Sequence, residues 1–251
     1  MMSSAKTRLR FGLRLGAALL LAGWAGTAQG IVGGQTGGPL DASAVMVLHD
    51  RGGVCTGVVV APDVILTAAH CVPQGAQLRV HYRETGQPVL LETQAVQRHP
   101  GYRANAVKER KRSIDLALVK LPAPLPGRFE AATLSAAAPE GRVTVAGYGL
   151  GREGVASSTG TWRSVRLDVA TPYGPSRILL WARGPAGSGG CQGDSGGPMI
   201  DSEGGVAAIM TWSVGTGGRS CGDLTQGALL GAQREWIDVS LARWSRSANW
   251  R

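Results

Sequence analysis

The sequence predicts an all-β protein with a C-terminal helix. After residue 30, short runs rich in valine, isoleucine, leucine and threonine alternate with glycine and proline, which is the spacing of a β-sandwich or β-barrel. The 38 glycines and 13 prolines show no collagen period and are typical of the turns of such a fold. With 251 residues, 43% of them hydrophobic, the chain can bury a substantial core.

The predicted strands are spread along the whole chain after residue 30. They are Thr56–Val60, Val64–Thr67, Leu78–Tyr82, Val89–Val96, Leu116–Leu121, Val143–Tyr148, Arg163–Val169, Ile178–Ala182 and Gly205–Ser213. A proline-rich stretch at residues 122–128 predicts a connector between two β halves.

The predicted helix lies near the C-terminus. Trp236, Ile237, Leu241 and Trp244 recur at near-helical spacing, with charged residues between them. We expect this helix to dock on the body of the protein. Its arginine and tryptophan content leaves a helix at a membrane surface as the alternative.

The first 30 residues have the pattern of a secretory signal. A basic stretch ends at Arg14, an apolar run covers 15–25, and small residues lead to Gly30. The apolar run is too short for a membrane span, which needs about 20 residues. We therefore expect residues 1–30 to be removed and residues 31–251 to form a secreted or periplasmic protein without a stable membrane span; an uncleaved anchor is the alternative.

The charge distribution argues against a nucleic-acid partner. The net charge is +9, but four of the basic residues precede residue 31, and the rest are dispersed along the chain. No helix carries a basic stripe with interleaved aromatic residues, the pattern that nucleic-acid binding favours.

The four cysteines predict two disulfides. Cys55, Cys71, Cys191 and Cys221 are an even set in a chain that we expect to enter an oxidising compartment, and they lack the paired spacing of a zinc site. Their number allows three pairings. The sequential pairing closes two short loops, each worth about 3 kcal/mol in the chain-entropy account.

Three segments carry candidate catalytic residues. Residues 191–198 (CQGDSGGP) place Ser195 in a glycine-rich turn whose amide groups can converge on an oxyanion. Residues 66–71 (LTAAHC) supply His70 as a candidate base, and residues 113–121 (SIDLALVKL) place Asp115 at the start of an apolar strand. A lone histidine, aspartate or serine is usually structural, so the prediction depends on finding all three together.

In the chain order His, Asp, Ser, these segments resemble the secreted trypsin and chymotrypsin family of serine proteases. Residues 31–34 (IVGG) are a fourth match, and the resemblance covers residues 31–242. It implies two six-stranded antiparallel β-barrels with an active site in the cleft between them, followed by a C-terminal helix.

The resemblance assigns a role to each catalytic residue. Ser195 is the nucleophile, His70 the general base and then acid, and Asp115 the carboxylate that orients the imidazole. The amide groups of Gly193 and Ser195 form the oxyanion hole. The implied activity is that of a serine endopeptidase acting through an acyl-enzyme.

The resemblance also implies an activation ion pair between the free amino group of Ile31 and the buried carboxylate of Asp194. Ala28 and Gly30 fit the positions before a signal cleavage site, so the export cut itself can expose Ile31. Cleavage after Ala28, followed by removal of two residues by a second protease, is the alternative.

The expected specificity is for apolar or aromatic residues before the scissile bond. Gly189, six residues before Ser195, replaces the aspartate with which the family selects arginine and lysine. Ser213, Val214 and Gly215 resemble the family segment that pairs with the substrate backbone, although Val214 stands where a tryptophan is usual. Asp223 is the alternative, as a displaced acid that would restore specificity for basic residues.

Protein or peptide substrates are the expected partners, with protein inhibitors of proteases as further candidates. No sequence pattern indicates a cofactor or a metal. The rival hypothesis is a non-enzymatic relative that keeps the fold to bind proteins or anionic surfaces; such relatives usually lose a member of the triad.

Overall fold

The computed structural model describes residues 31–109, 111–185 and 187–251. The predicted signal peptide therefore lies outside the described residues. The strands are β1 (Gln35–Thr36), β2 (Ala44–His49), β3 (Gly53–Ala61), β4 (Val64–Thr67), β5 (Leu78–Glu84), β6 (Gln87–Glu92), β7 (Ala95–Arg98), β8 (Ala117–Lys120), β9 (Thr133–Leu134), β10 (Arg142–Gly147), β11 (Arg163–Ala170), β12 (Leu179–Arg183), β13 (Pro198–Ile200), β14 (Val206–Val214), β15 (Leu224–Leu229) and β16 (Asn249–Trp250). The helices are α1 (Ala106–Glu109) and α2 (Arg234–Ala242).

The N-terminal half is an open antiparallel sheet. Its strand order is β6-β5-β2-β3-β4-β8-β7, and the edge strands β6 and β7 do not pair. The predicted strand Val89–Val96 is interrupted at residues 93 and 94, which raises the number of strand segments to seven. This half-barrel takes the place of the first closed six-stranded barrel.

The C-terminal half contains a closed barrel. Strands β13, β10, β11, β12, β15 and β14 pair in that order, and pairing between β13 and β14 closes the circle. Strands β9 and β16 extend the sheet from β14 by parallel pairing. The predicted connector at 122–128 lies between β8 of the first sheet and β9 of the second.

The all-β architecture and the C-terminal helix are confirmed. Each predicted strand overlaps an observed one, whereas the two-residue strands β1, β9 and β16 and the longer strands β2, β13 and β15 were missed. Strand β13 contains a proline and strand β15 contains a glycine, and both residue types are uncommon in strands. Most residues of both strands are buried, so neither strand shows the alternation of polar and apolar residues that predicts a strand. Helix α2 buries Ile237 and Leu241 completely, as expected for a docked helix.

The two halves share a hydrophobic core. Val58 and Leu118 from the first sheet pack in one cluster with Ile209 from the barrel and Leu241 of α2. Separate clusters fill the interior of each half. Burial of this shared cluster fixes the position of one half against the other, and with it the shape of the cleft between them.

The disulfides follow the sequential pairing. Cys55 pairs with Cys71, and Cys191 pairs with Cys221. The first crosslinks β3 to the segment that carries His70. The second crosslinks the loop of Ser195 to the loop between β14 and β15. Within the described ranges, no helix is long and apolar enough to cross a membrane.

Candidate active site

A cavity of about 1050 Å³ opens between the two halves of the protein. His70 and Asp115 line it from the first half, and Ser195 lines it from the second. The three residues that the sequence singled out therefore meet in one cavity, although 45 and 80 positions separate them along the chain.

Asp115 holds His70 through two hydrogen bonds. Nδ1 of His70 lies 2.6 Å from Oδ2 of Asp115, and the His70 backbone N–H donates to Oδ1 at 2.9 Å. A carboxylate at Nδ1 places the proton on that nitrogen and leaves Nε2 as the acceptor. The short 3₁₀ helix Ala69–Cys71 carries His70, whose side chain is 36% exposed.

Ser195 lies in a tight turn just before β13. Its carbonyl oxygen accepts a hydrogen bond from the Thr56 N–H at 2.8 Å, which ties the turn to β3 of the other half. Gly196 has a φ of 86°, and a side chain there would collide with the backbone of Thr56. Ser195 Oγ forms no hydrogen bond with any described residue, so its contact with His70 stays a prediction.

Two amide groups beside Ser195 are free to bind an anion. The N–H groups of Gly193 and Ser195 have no acceptor among the described residues. Gly193 has a φ of 95°, and the carbonyl oxygen of Gln192, which shares a peptide unit with the Gly193 N–H, accepts a hydrogen bond from the Leu150 N–H at 2.8 Å, so this peptide is held in place. This arrangement supports the expected oxyanion hole.

Asp194 is buried behind the oxyanion hole. Only 1% of the residue is exposed, and its carboxylate accepts hydrogen bonds from the Gly149 N–H at 2.8 Å and the Cys191 N–H at 2.9 Å. Burial raises the pKa of Asp194 to about 7, even though these hydrogen bonds and the charge of Arg163 act to lower it. A carboxylate buried in this way favours a positively charged partner.

Ile31 is also completely buried. Its side chain packs in the core of the C-terminal barrel, and the next residue, Val32, forms a β-bridge with Gly189. Ile31 follows Gly30 in the chain, so its nitrogen is an amide rather than a charged amine. Its ion pair with Asp194 remains an expectation for a chain that begins at Ile31.

The cavity lining includes only part of the predicted substrate-binding segment. Ser213 lines the cavity, whereas Val214, Gly215 and Gly189 are not among its lining residues. Thr211, Trp212 and Gln226 line it and were missed by sequence analysis. The register of β14 against β15 shifts between Met210 and Trp212, so the residues that face the cavity cannot be found by counting along a regular strand.

Thr225 occupies the space into which a side chain at Gly189 would project. Both residues are buried, and a Cβ at Gly189 would lie 2.9 Å from Thr225 Oγ1. The same hydroxyl accepts a hydrogen bond from the Gly190 N–H at 2.9 Å. Asp223, the alternative acidic determinant, lies 3.3 Å from Arg183. Its charge is therefore already partnered by an arginine of the same protein.

One group in the described part of the chain has a geometry that could suit a metal, namely Cys55, His70 and Cys71. Both sulfurs belong to the disulfide between Cys55 and Cys71, and a disulfide sulfur does not offer the thiolate that metals bind. His70 is in addition held by Asp115. This cluster is therefore the crosslinked neighbourhood of His70.

Comparison with known proteins places this geometry in a family. A sequence model of the Trypsin family matches residues 31–227. The vitellin-degrading protease of Bombyx mori is 28% identical over 212 residues, covering 74% of this chain and 76% of that protein. Granzyme M of Rattus norvegicus is 26% identical over 248 residues, covering 86% of this chain and 90% of that protein.

The fold agrees with these relatives. The solved structure of neuropsin, a serine protease expressed in the limbic system of mouse brain, superimposes with a TM-score of 0.69. That similarity covers 84% of this chain and 99% of neuropsin at 20% sequence identity. With the family match spanning most of the described residues, the chain belongs to the trypsin family.

Proposed function

We propose that the protein is an exported serine endopeptidase that hydrolyses internal peptide bonds through an acyl-enzyme. The pairing of His70 Nδ1 with Asp115 at 2.6 Å, in the cavity that Ser195 also lines, carries this proposal. A serine hydroxyl is a weak nucleophile at neutral pH and needs such an oriented base.

The residues perform the reaction in two halves. Ser195 Oγ attacks the substrate carbonyl carbon while His70 Nε2 takes the hydroxyl proton, and the amides of Gly193 and Ser195 stabilise the oxyanion. His70 then protonates the leaving amine, which departs and leaves an acyl-enzyme. A water molecule, deprotonated by His70, attacks the acyl group. The ester bond to Ser195 Oγ then breaks, His70 returns the proton to Oγ, and the second product leaves. Asp115 stabilises the imidazolium in both halves.

The proposed preference is for an apolar residue before the scissile bond, as Gly189 indicates. In the cavity, a substrate side chain meets Ser213 and the neutral Gln226, and Asp223 is engaged by Arg183. Thr225 covers Gly189, which favours small apolar residues over aromatic ones. A substrate series with alanine, valine, leucine, phenylalanine and arginine at this position tests the preference. Fastest cleavage after arginine would contradict it and support Asp223 as the determinant.

Export and activation form the second part of the proposal. Removal of residues 1–30 would give a chain that begins with Ile31, and its amino group would then pair with Asp194. Burial of both residues supports this pairing. N-terminal sequencing of the exported, active protein tests it, because full activity with any other first residue would contradict direct activation by the export cut.

Labelling with a fluorophosphonate tests the catalytic proposal, since this reagent reacts with an activated serine. We expect one adduct by intact mass, absent in Ser195→Ala and retained in Ser202→Ala, whose serine is exposed and lies outside the cavity lining. Turnover in Ser195→Ala should fall by roughly six orders of magnitude. A folded chain beginning at Ile31 that forms no adduct would overturn the proposal and favour a non-enzymatic binding protein.

A further inference from the structure

Arg163 is a buried arginine without a direct acidic partner. It begins β11 and is 6% exposed, whereas arginine is rarely buried unless it is paired. Its Nη1 donates hydrogen bonds to the carbonyl oxygens of Ser158 at 3.1 Å and Thr161 at 3.2 Å. Its Nε is buried and has no hydrogen-bond partner among the residues that the structure describes. The neutral carbonyls do not account for a full positive charge at this position.

The side chain of Arg163 leaves the barrel wall on the face where the carboxylate of Asp194 lies. Arg163 is directly opposite Gly147 in the β10–β11 ladder, so side chains at these two positions leave the sheet on the same face. The space that a side chain at Gly147 would fill is occupied by the carboxylate of Asp194. Because Gly147 has no side chain, the carboxylate fits beside it, and Arg163 lies on the neighbouring strand.

The electrostatics agree with this geometry. Asp194 makes no ion pair within 4.0 Å among the described residues, yet the positive charge of Arg163 acts to lower the pKa of its carboxyl. In turn, Asp194 acts to raise the pKa of Arg163 against the larger effect of burial. Arg163 is the one described side chain whose charge is found to act on Asp194.

We propose that Arg163 is a positioning residue that offsets the buried charge of Asp194, and so keeps Gly193 and Ser195 in the oxyanion-binding arrangement before the Ile31 amine is free. This inference rests on the proposed protease function. Asp194 lies between Gly193 and Ser195, so whatever keeps its carboxylate buried also fixes the two amides. The uncleaved chain should therefore retain measurable peptidase activity before the cut that frees Ile31.

The experiment compares two forms of the protein, one that begins at Ile31 and one that retains Gln29 and Gly30. Intact mass verifies each form, and fluorophosphonate labelling rates are measured at a pH of about 8.5, where the Asp194 carboxylate is ionised. Arg163→Met removes the charge at similar length, and Arg163→Lys keeps it. Arg142→Met is the control, since Arg142 is an exposed arginine at the start of β10.

We expect Arg163→Met to slow labelling of the extended form about tenfold or more and to change the Ile31 form less than about threefold, because there the amine offsets Asp194. Arg163→Lys should restore the extended form, and Arg142→Met should affect neither form. An equal loss in both forms, or no loss in either, would overturn the proposal. Failure of the wild-type Ile31 form to label at all would instead refute the protease function.

A double substitution covers the case in which Arg163→Met does not fold. Asp194→Asn removes the charge that Arg163 is proposed to offset. If Arg163→Met with Asp194→Asn regains a cooperative thermal transition, the two charges are coupled as proposed. If the double variant remains unfolded, Arg163 is needed for its hydrogen bonds to Ser158 and Thr161, and the proposal is wrong.

Discussion

Arg246 binds Asp63 through two hydrogen bonds, although 183 positions separate them along the chain. Its Nε donates to Oδ1 at 2.8 Å and its Nη2 donates to Oδ2 at 2.7 Å, while Lys120 Nζ adds a third hydrogen bond at 2.6 Å. Asp63 lies in the turn between β3 and β4, and Arg246 follows α2. The pair therefore fastens the C-terminal segment to the first half of the protein.

Asp63→Asn should lower the free energy of unfolding by about 3 to 5 kcal/mol, because it leaves two cations beside a nearly buried site. Burial alone would raise the pKa of Asp63, but the hydrogen bonds from Arg246 and Lys120 outweigh it and lower that pKa. The stabilisation is therefore present above the usual pKa of 3.8 and is lost as the pH falls through the lowered one. Urea unfolding measures it.

Asp168→Asn is the matched control, since it breaks the exposed pair between Asp168 and Arg142. Its effect should be below about 1 kcal/mol. Equal losses in the two variants would contradict the importance of burial at Asp63.

Asp194 should make stability fall with rising pH before Ile31 is freed, but not after. In a chain that retains Gly30, the pKa of about 7 exceeds the usual 3.8, so the stabilisation is full below the usual pKa and is lost as the pH rises through 7. Between pH values of about 5 and 8, the cost should be roughly 2 to 3 kcal/mol. Urea unfolding at both pH values measures it.

In a chain that begins at Ile31, pairing with the ammonium group should remove this loss. Asp194→Asn in the extended chain is the control, because an amide does not titrate. A loss of stability that persists in Asp194→Asn would show that other groups cause it.

Thr225→Gly should open the floor beside Gly189. Removing the side chain that covers Gly189 should increase kcat/KM for phenylalanine relative to alanine before the scissile bond, by about tenfold or more. Thr225→Ser keeps the hydroxyl that accepts from the Gly190 N–H and should change this ratio little. An unchanged ratio in Thr225→Gly would mean that the substrate side chain does not approach Gly189.

The rim of the cavity should favour acidic substrates. Arg103, Lys111, Arg112 and Arg177 line it, and Asp115 is the one acidic residue among the described lining residues. A peptide flanked by glutamates should have a lower KM than its glutamine counterpart at about 20 mM salt, and the advantage should shrink at about 500 mM.

Replacing both Arg103 and Arg177 with glutamine should reduce that advantage, whereas Arg142→Gln, outside the cavity lining, should not. A salt-independent KM ratio would exclude electrostatic selection at the rim.

The sequence predicted three residues that line the cavity together, but it predicted the rest of the lining less well. His70, Asp115 and Ser195 could be found because each lies in a short sequence motif. In the serine motif, the positive φ angles at positions 193 and 196 require the glycines that make the motif recognisable. The pairing of the cysteines stayed open, because spacing alone does not exclude crossed pairs.

The missed residues have physical reasons. Trp212 faces the cavity because the β14 register shifts at Thr211, and a bulge leaves no mark in the periodicity of a strand. Thr225 and Arg163 act through space on Gly189 and Asp194, which lie on other elements. Such pairings depend on the register of strands that are distant in sequence, and a single sequence does not specify it.

The order of the cleft depends on the disulfide between Cys191 and Cys221, and therefore on an oxidising environment. It joins the turn that bears the nucleophile to the neighbouring wall of the cavity, and this covalent link exists only after oxidation. In a reducing compartment they would be held together by noncovalent contacts, such as the hydrogen bond from the Gly222 N–H to the Gly190 carbonyl oxygen. We expect a chain that has not yet met an oxidant to lack an ordered cleft, which would spare the interior of the producing cell from its proteolysis.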